Sequence, residues 1–174
     1  NGESVILSFW PHPRLFFERE KSNLKFLNTI EEKSILLEAI GIDHFIILPF
    51  SEVFANLTAE QYIEEIIYKK IHPSTVIIGY DHRFGKNGTG NFETLSKLSS
   101  KFNFTAEKIE KFEIDEINVS STKIRKALTE GNIEKANKYL SYDYFIKGMV
   151  VQGMHIGQTI GFPTANIQPL NKLK

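Results

Sequence analysis

Apolar residues recur along this chain at two different spacings, and the alternation between them predicts the order of its elements. Val5, Ile6, Leu7 and Phe9 form a short apolar run ending in Trp10-Pro11-His12-Pro13, so a strand is predicted over residues 4–9, stopped by the prolines. Ile35, Leu36, Ala39 and Ile40 follow at helical spacing, with Thr29 and Glu32 as the halves of a capping box and Gly41 as a stop; they predict a helix over 31–40 with that face in the core. A second strand is predicted over 44–50, around Ile46, Ile47 and Leu48. Thr58 and Gln61 repeat the capping box before a helix over 59–70 whose Tyr62, Ile63, Ile66 and Ile67 are core. Val76, Ile77 and Ile78 make a third, buried strand ending at Gly79.

Beyond it the pattern predicts a polar glycine-rich loop over 81–91, a helix over 92–101, strand-like residues from 104 to 114 and a helix over 123–130 stopped by Gly131. Asn132 then caps a last helix with Ile133, Ala136 and Leu140 on one face, and residues 144–151 alternate toward a strand. Strand, helix, strand, helix, strand, loop, helix is the order of an α/β protein with a parallel sheet covered by helices.

That fold class directs attention to the carboxyl ends of the strands, where ligands bind in open α/β sheets. Phe9 and His12 are held at one such end by the flanking prolines. At another, Gly79, Gly85, Gly88 and Gly90 permit positive φ or close approach to a flat or phosphorylated ligand, with Asp81 and His82 as polar groups at the strand's mouth. Ser120, Ser121 and Thr122 precede a helix, so hydroxyls and free N–H groups gather where a phosphate is favoured, and the planar fork of Arg125 lies on the same first turn. Each feature has an ordinary structural reading as well: a surface loop, a serine/threonine cap, an exposed arginine.

Composition narrows the classes. Lys plus Arg and Asp plus Glu both number 21, giving a formal net charge of zero, so a general nucleic-acid surface or a polybasic membrane patch is not expected. With no cysteine there is no disulfide scaffold, cysteine nucleophile or thiolate metal site, which fits a reducing, cytoplasmic setting. No apolar run approaches a membrane span, and residues 5–10 read as a strand, not a signal peptide. The chain opens on a turn feeding straight into a strand and stops without a closing element, as an interior piece of a longer protein does.

Phe9-Trp10-Pro11-His12-Pro13, the stretch Gly79 to Asn91, Ser120-Ser121-Thr122-Lys123-Ile124-Arg125 and the stretch Gly148 to Asn166 together resemble the successive motifs of the bacterial bifunctional riboflavin kinase/FMN adenylyltransferases, also called FAD synthetases. The resemblance implies a Rossmann-like nucleotidyltransferase domain over residues 1–141, then the start of a small β-barrel kinase domain over 142–174. It implies transfer of AMP from ATP to FMN, giving FAD and pyrophosphate, and riboflavin phosphorylation by the C-terminal domain of the full-length protein. By the same resemblance Phe9, Asp81 and Phe84 belong to the flavin and nucleotide pocket, beside His12, Gly79 and Gly85; Ser121, Thr122 and Arg125 belong to the triphosphate site. Thr164 and Asn166, in Phe162-Pro163-Thr164-Ala165-Asn166, are the expected kinase Mg-ATP residues, with Thr164 toward Mg²⁺.

The expected partners are the small molecules ATP, FMN and riboflavin, with no nucleic acid and no membrane. Two departures stand out. The family's H-x-G-H loop is not found upstream of Ser4, and His155 to Gln158, which looks like it, comes at the wrong place in the order. His82 stands where the family usually has an aromatic residue. The competing readings are another nucleotidyltransferase of the same superfamily, or a non-catalytic flavin- or nucleotide-binding module.

Overall fold

The structure is a computed structural model, and it describes residues 2–17, 25–111, 113–114, 117–154 and 156–170. His155 lies outside the described residues. The chain divides into two compact units, one comprising Asn1–Ser8, Glu20–Ile46 and Val119–Lys174, the other Phe9–Arg19 and Ile47–Asn118.

Two strands run through both units: β1, Val5–Trp10, and β2, His44–Pro49, pair with each other. His44 N–H donates to Ser4 O at 3.0 Å and Phe50 N–H to Trp10 O at 3.0 Å, so the partners advance together as in a parallel pair.

The second unit begins with the short helix α1, Pro13–Phe17. After β2 come α3, Glu52–Ala55, and α4, Ala59–Tyr62; each is started by a hydroxyl, Ser51 accepting from Phe54 N–H and Thr58 from Gln61 N–H. The capping box of Thr58 and Gln61 forms as the sequence predicts. The helix expected over 59–70 does not continue as an α-helix. Beyond Tyr62 it winds as a π-helix over Ile63–Ile71 and ends at His72, whose φ is 54°. Apolar positions at 62, 63, 66 and 67 suit either winding, which is why periodicity alone does not separate them. Their burial is as expected: Tyr62 is 9 % exposed, Ile63 1 %, Ile66 7 % and Ile67 5 %.

β3, Thr75–Gly79, pairs in parallel with β4, Thr105–Ile109, in the register Thr75 to Thr105 through Gly79 to Ile109. Between them runs α5, Phe92–Phe102, started by Asn91. Two more short strands, Glu113–Ile114 (β5) and Ile117–Asn118 (β6), pair antiparallel. Among the described residues the expected parallel sheet is thus present as separate two-stranded pieces. Ile77, expected inside, is 55 % exposed, because only alternate residues of β3 turn inward.

In the first unit α2, Ile30–Ala39, carries the predicted capping box of Thr29 and Glu32. Its expected core face does not hold: Ile35, Ala39 and Ile40 are exposed, whereas Glu32 is fully buried. Periodicity identifies an apolar face but not what covers it. The Glu32 carboxylate accepts from Thr29 N–H at 2.9 Å through Oε2 and from Lys147 N–H at 2.9 Å through Oε1, so both oxygens are engaged. α6, Ser121–Thr129, and α7, Ile133–Leu140, form a helical hairpin, turning at Gly131 with φ 73°. Ile124, Ala127, Ala136 and Tyr139 fill its interior, while Ile133, predicted on the same face, is 46 % exposed. β7, Gly148–Val151, pairs antiparallel with β8, Asn166–Pro169, and between them lies the one-turn helix α8, Ile156–Thr159.

Candidate ligand sites

The second unit encloses a cavity of about 460 Å³, within the size range of small-molecule sites. Its wall is a relay of aromatic rings. Phe9 meets Phe54 at 5.1 Å and Phe50 at 6.0 Å, Phe54 meets Tyr62 at 5.8 Å, and Tyr62 meets Phe84 at 5.5 Å between centroids. These pairs are tilted or edge-on, geometries favoured by the ring quadrupoles. His82, Arg83, Asn87, Gly85 and Gly88 complete the lining on the loop side.

The loop is held by contacts that only glycine permits. Gly85 has φ 72°, and a Cβ there would lie 2.6 Å from Ala59 N at the start of α4; Lys86 N–H donates to Leu57 O at 2.6 Å beside it. Gly90 and Phe84 exchange backbone hydrogen bonds of 3.1 and 2.8 Å, and a Cβ on Gly90 would meet the Phe84 ring at 2.6 Å. The bare Gly90 is therefore the seat on which Phe84 rests. Gly79 needs neither positive φ nor a close approach.

Of the residues singled out in the sequence, Phe9, Phe84 and Gly85 come together in this cavity and His12, Gly79 and Asp81 do not line it. His12 Nδ1 accepts from Arg14 N–H at 3.2 Å in the turn into α1, and Asp81 is exposed at the end of β3. His82 stacks nearly parallel to Phe84, 6.3 Å between centroids at 28°. Burial lowers its pKa, against an opposing pull from Asp81, so a neutral imidazole fills the place of an aromatic ring. Apolar spacing places Tyr62 in the core and gives Phe50 and Phe54 no role at a site. The usable signal was a tyrosine in a row of isoleucines and a cluster of phenylalanines flanking a strand end.

In the first unit, Ser120 is the N-cap of α6 and accepts from Lys123 N–H at 3.3 Å. Ser121 and Thr122 are exposed on the first turn, where the N–H groups lie outside the helix's own ladder. Arg125 is half-buried, its Nε donating to Lys25 O at 2.6 Å, a tether that steadies the guanidinium.

A smaller cavity of about 220 Å³ lies in the β7–β8 region and brings Thr164 and Asn166 together with Gly153, Gly157 and Gln158. Gly157 is pressed against Phe162 O and the Thr164 hydroxyl, and Gly153 against the Asn166 amide, so a Cβ at either would displace a polar group from the cavity. No group of three or more His, Asp or Glu side chains suited to a metal occurs among the described residues. One hydroxyl and one amide oxygen do fit an ion such as Mg²⁺ that takes most of its ligands from phosphates and water. No described helix is long and apolar enough to cross a membrane.

The family model for FAD synthetase matches residues 1–123, and that for riboflavin kinase residues 140–174. Proteins named bifunctional riboflavin kinase/FMN adenylyltransferase are similar over nearly the whole chain. The one from Listeria monocytogenes is 34% identical over 95% of this chain and 52% of its own length. That from Buchnera aphidicola of Schizaphis graminum is 37% identical over 97% and 55%, and that from Bacillus subtilis 36% over 94% and 51%. The chain thus spans about half the length of these relatives. A crystal structure from Streptococcus pneumoniae, of a protein named there a macrolide-efflux protein, superimposes with a TM-score of 0.83 at 28% identity, over 98% of this chain and 55% of the other.

Proposed function

Because this chain belongs to the FAD synthetase family, we propose that the full-length protein transfers AMP from ATP to FMN. An FMN phosphate oxygen attacks the α-phosphorus of ATP, the bond to the β-phosphate oxygen breaks, and FAD and pyrophosphate leave. Such a transfer needs positioning and charge neutralisation more than covalent help. The flavin ring lies in the aromatic cavity among Phe9, Phe54 and Phe84, with the neutral His82 stacked at its side. Ser121, Thr122 and the tethered Arg125 receive the phosphates of ATP. Asp81, exposed at the end of β3, supplies a polar group to the flavin from outside the ring cavity.

Residues 1–141 form the adenylyltransferase domain in this reading, and 142–174 begin a β-barrel riboflavin kinase that makes FMN from riboflavin and ATP. Thr164 and Asn166 hold Mg-ATP there. Mg²⁺, when bound, offsets phosphate charge. The partners are these small molecules, and a reducing compartment rich in ATP, the cytoplasm, suits a chain without cysteine.

The aromatic cavity is the observation that carries the proposal, since a wall of rings fits a flat heteroaromatic ligand better than a phosphate or a peptide. FAD formation from FMN and ATP by the full-length protein tests it. Phe54→Ala should weaken FMN binding by roughly tenfold or more, from the ring contact and apolar area lost, and leave ATP binding little changed. Full-length protein that makes no FAD, or a variant that loses ATP and keeps FMN, overturns the assignment.

A further inference from the structure

Tyr62 is the last residue of α4, where α winding gives way to π. Its ring is nine-tenths buried, lines the large cavity, and sits between Phe54 and Phe84 at 5.8 and 5.5 Å. A phenylalanine would make those same ring contacts. What tyrosine adds is one hydroxyl, and among the described residues that hydroxyl has no hydrogen-bond partner. It is not sealed in either: the only fully buried side-chain polar atom without a partner among the described residues is Asn28 Nδ2. The ring that carries this oxygen lines the cavity.

We propose that the Tyr62 hydroxyl is a specificity-determining donor to an acceptor on the edge of the planar ligand in this cavity, a carbonyl oxygen or unprotonated ring nitrogen. The inference rests on the flavin reading above and deepens it, because a flavin ring carries both kinds of acceptor. Without a ligand the hydroxyl is a polar group in an apolar wall, which is unfavourable; an arriving acceptor turns that cost into a bond. Burial alone pushes the phenol up to about 12, so the group keeps its proton, and acts as a donor, across the physiological range. The ring packing selects for flatness and the hydroxyl for an acceptor at one edge.

The test is Tyr62→Phe in the full-length protein, with FMN affinity read from flavin fluorescence, and ATP affinity and Tm measured alongside. FMN binding should weaken by roughly three- to thirtyfold, the range of a lost hydrogen bond to an otherwise unsatisfied acceptor. ATP affinity and the Tm of the ligand-free protein should stay level, since the hydroxyl has no partner in the protein to lose. Unchanged FMN affinity in the variant, with the parent binding FMN, overturns the inference and leaves the flavin reading intact. A Tm lowered by several degrees also overturns it, by showing that the hydroxyl holds the fold. A parent protein that does not bind FMN removes the flavin reading itself, and the inference with it.

Discussion

The two units of this chain differ in the large side chain that each buries most deeply. In the second, the most deeply buried large side chains are Ile63 and Leu95, each 1 % exposed, and a relay of aromatic rings extends that core into a cavity. In the first, the most deeply buried large side chain is a carboxylate, Glu32, at 0 %. An apolar core is held by many small, non-directional contacts and responds to substitution by degrees. A buried carboxylate is held by a few directed bonds, and its removal strands every donor it served. Glu32 serves Thr29 N–H, three residues away, and Lys147 N–H, 115 residues away, so one side chain both starts a helix and fixes the entry to β7.

Glu32→Ala is therefore expected to have the largest effect on stability, about 4 kcal/mol for two donors stranded at a buried site. Urea denaturation of the full-length protein measures it, and hydrogen exchange at the Lys147 amide localises it, since that N–H loses its acceptor. Glu32→Gln should recover part of the loss, because an amide oxygen still accepts one bond. The matched small change in the other unit, Ile63→Val, should cost only about 1 kcal/mol. If the two units respond alike, the contrast between their interiors is false. The charge on Glu32 is also felt at Tyr144, whose phenol is raised first by burial and then by that carboxylate.

The contrast also explains what could be read from the sequence. Local rules were reliable in both units: the capping boxes at Thr29 and Thr58, the cap at Asn132 and the left-handed glycines at 41 and 131 all occur where residue type predicts. So was the apolar row from Tyr62 to Ile67, all of whose apolar members at 62, 63, 66 and 67 are buried. What failed depended on distant or alternative partners. The Ile35–Ile40 face of α2 reads as core but stands exposed. The capping role of Glu32 was legible, its bond to Lys147 was not, because nothing local to residue 32 encodes residue 147. The π winding after Tyr62 and the opening of that residue onto a cavity were hidden for a related reason: spacing reports which side chains turn inward, not whether the inside is filled.

A middle-sized effect is expected at Gly90, where a backbone site controls an aromatic one. A Cβ there would stand 2.6 Å from the Phe84 ring, so Gly90→Ala must push the ring toward the cavity or away from its stack with His82. Overpacking of this kind costs about 1 to 3 kcal/mol. Because Phe84 lines the cavity, FMN affinity should fall together with stability. A Gly90→Ala protein with unchanged affinity and unchanged urea midpoint would show that the Phe84 ring can swing aside freely, and that the aromatic wall is less fixed than the apolar interior behind it.

The smallest effect concerns His82, the imidazole stacked against Phe84. Burial holds its pKa below the ordinary value of 6.5, with Asp81 pulling the other way, so between the folded and unfolded values the unfolded chain binds more protons. The sign follows: the stability that His82 contributes is fully present above about pH 6.5 and declines as pH falls through the folded value. His82 is exposed by surface area, so the decline is modest and shows best as a difference. His82→Phe keeps a flat ring against Phe84 and removes the proton. Its urea midpoint should fall less steeply than the parent's between pH 6.5 and pH 5, while the two proteins differ little above pH 7. Parallel pH profiles would mean that His82 is as well solvated in the folded protein as in the unfolded one, and that the stacked imidazole lies outside the apolar environment of the cavity it lines.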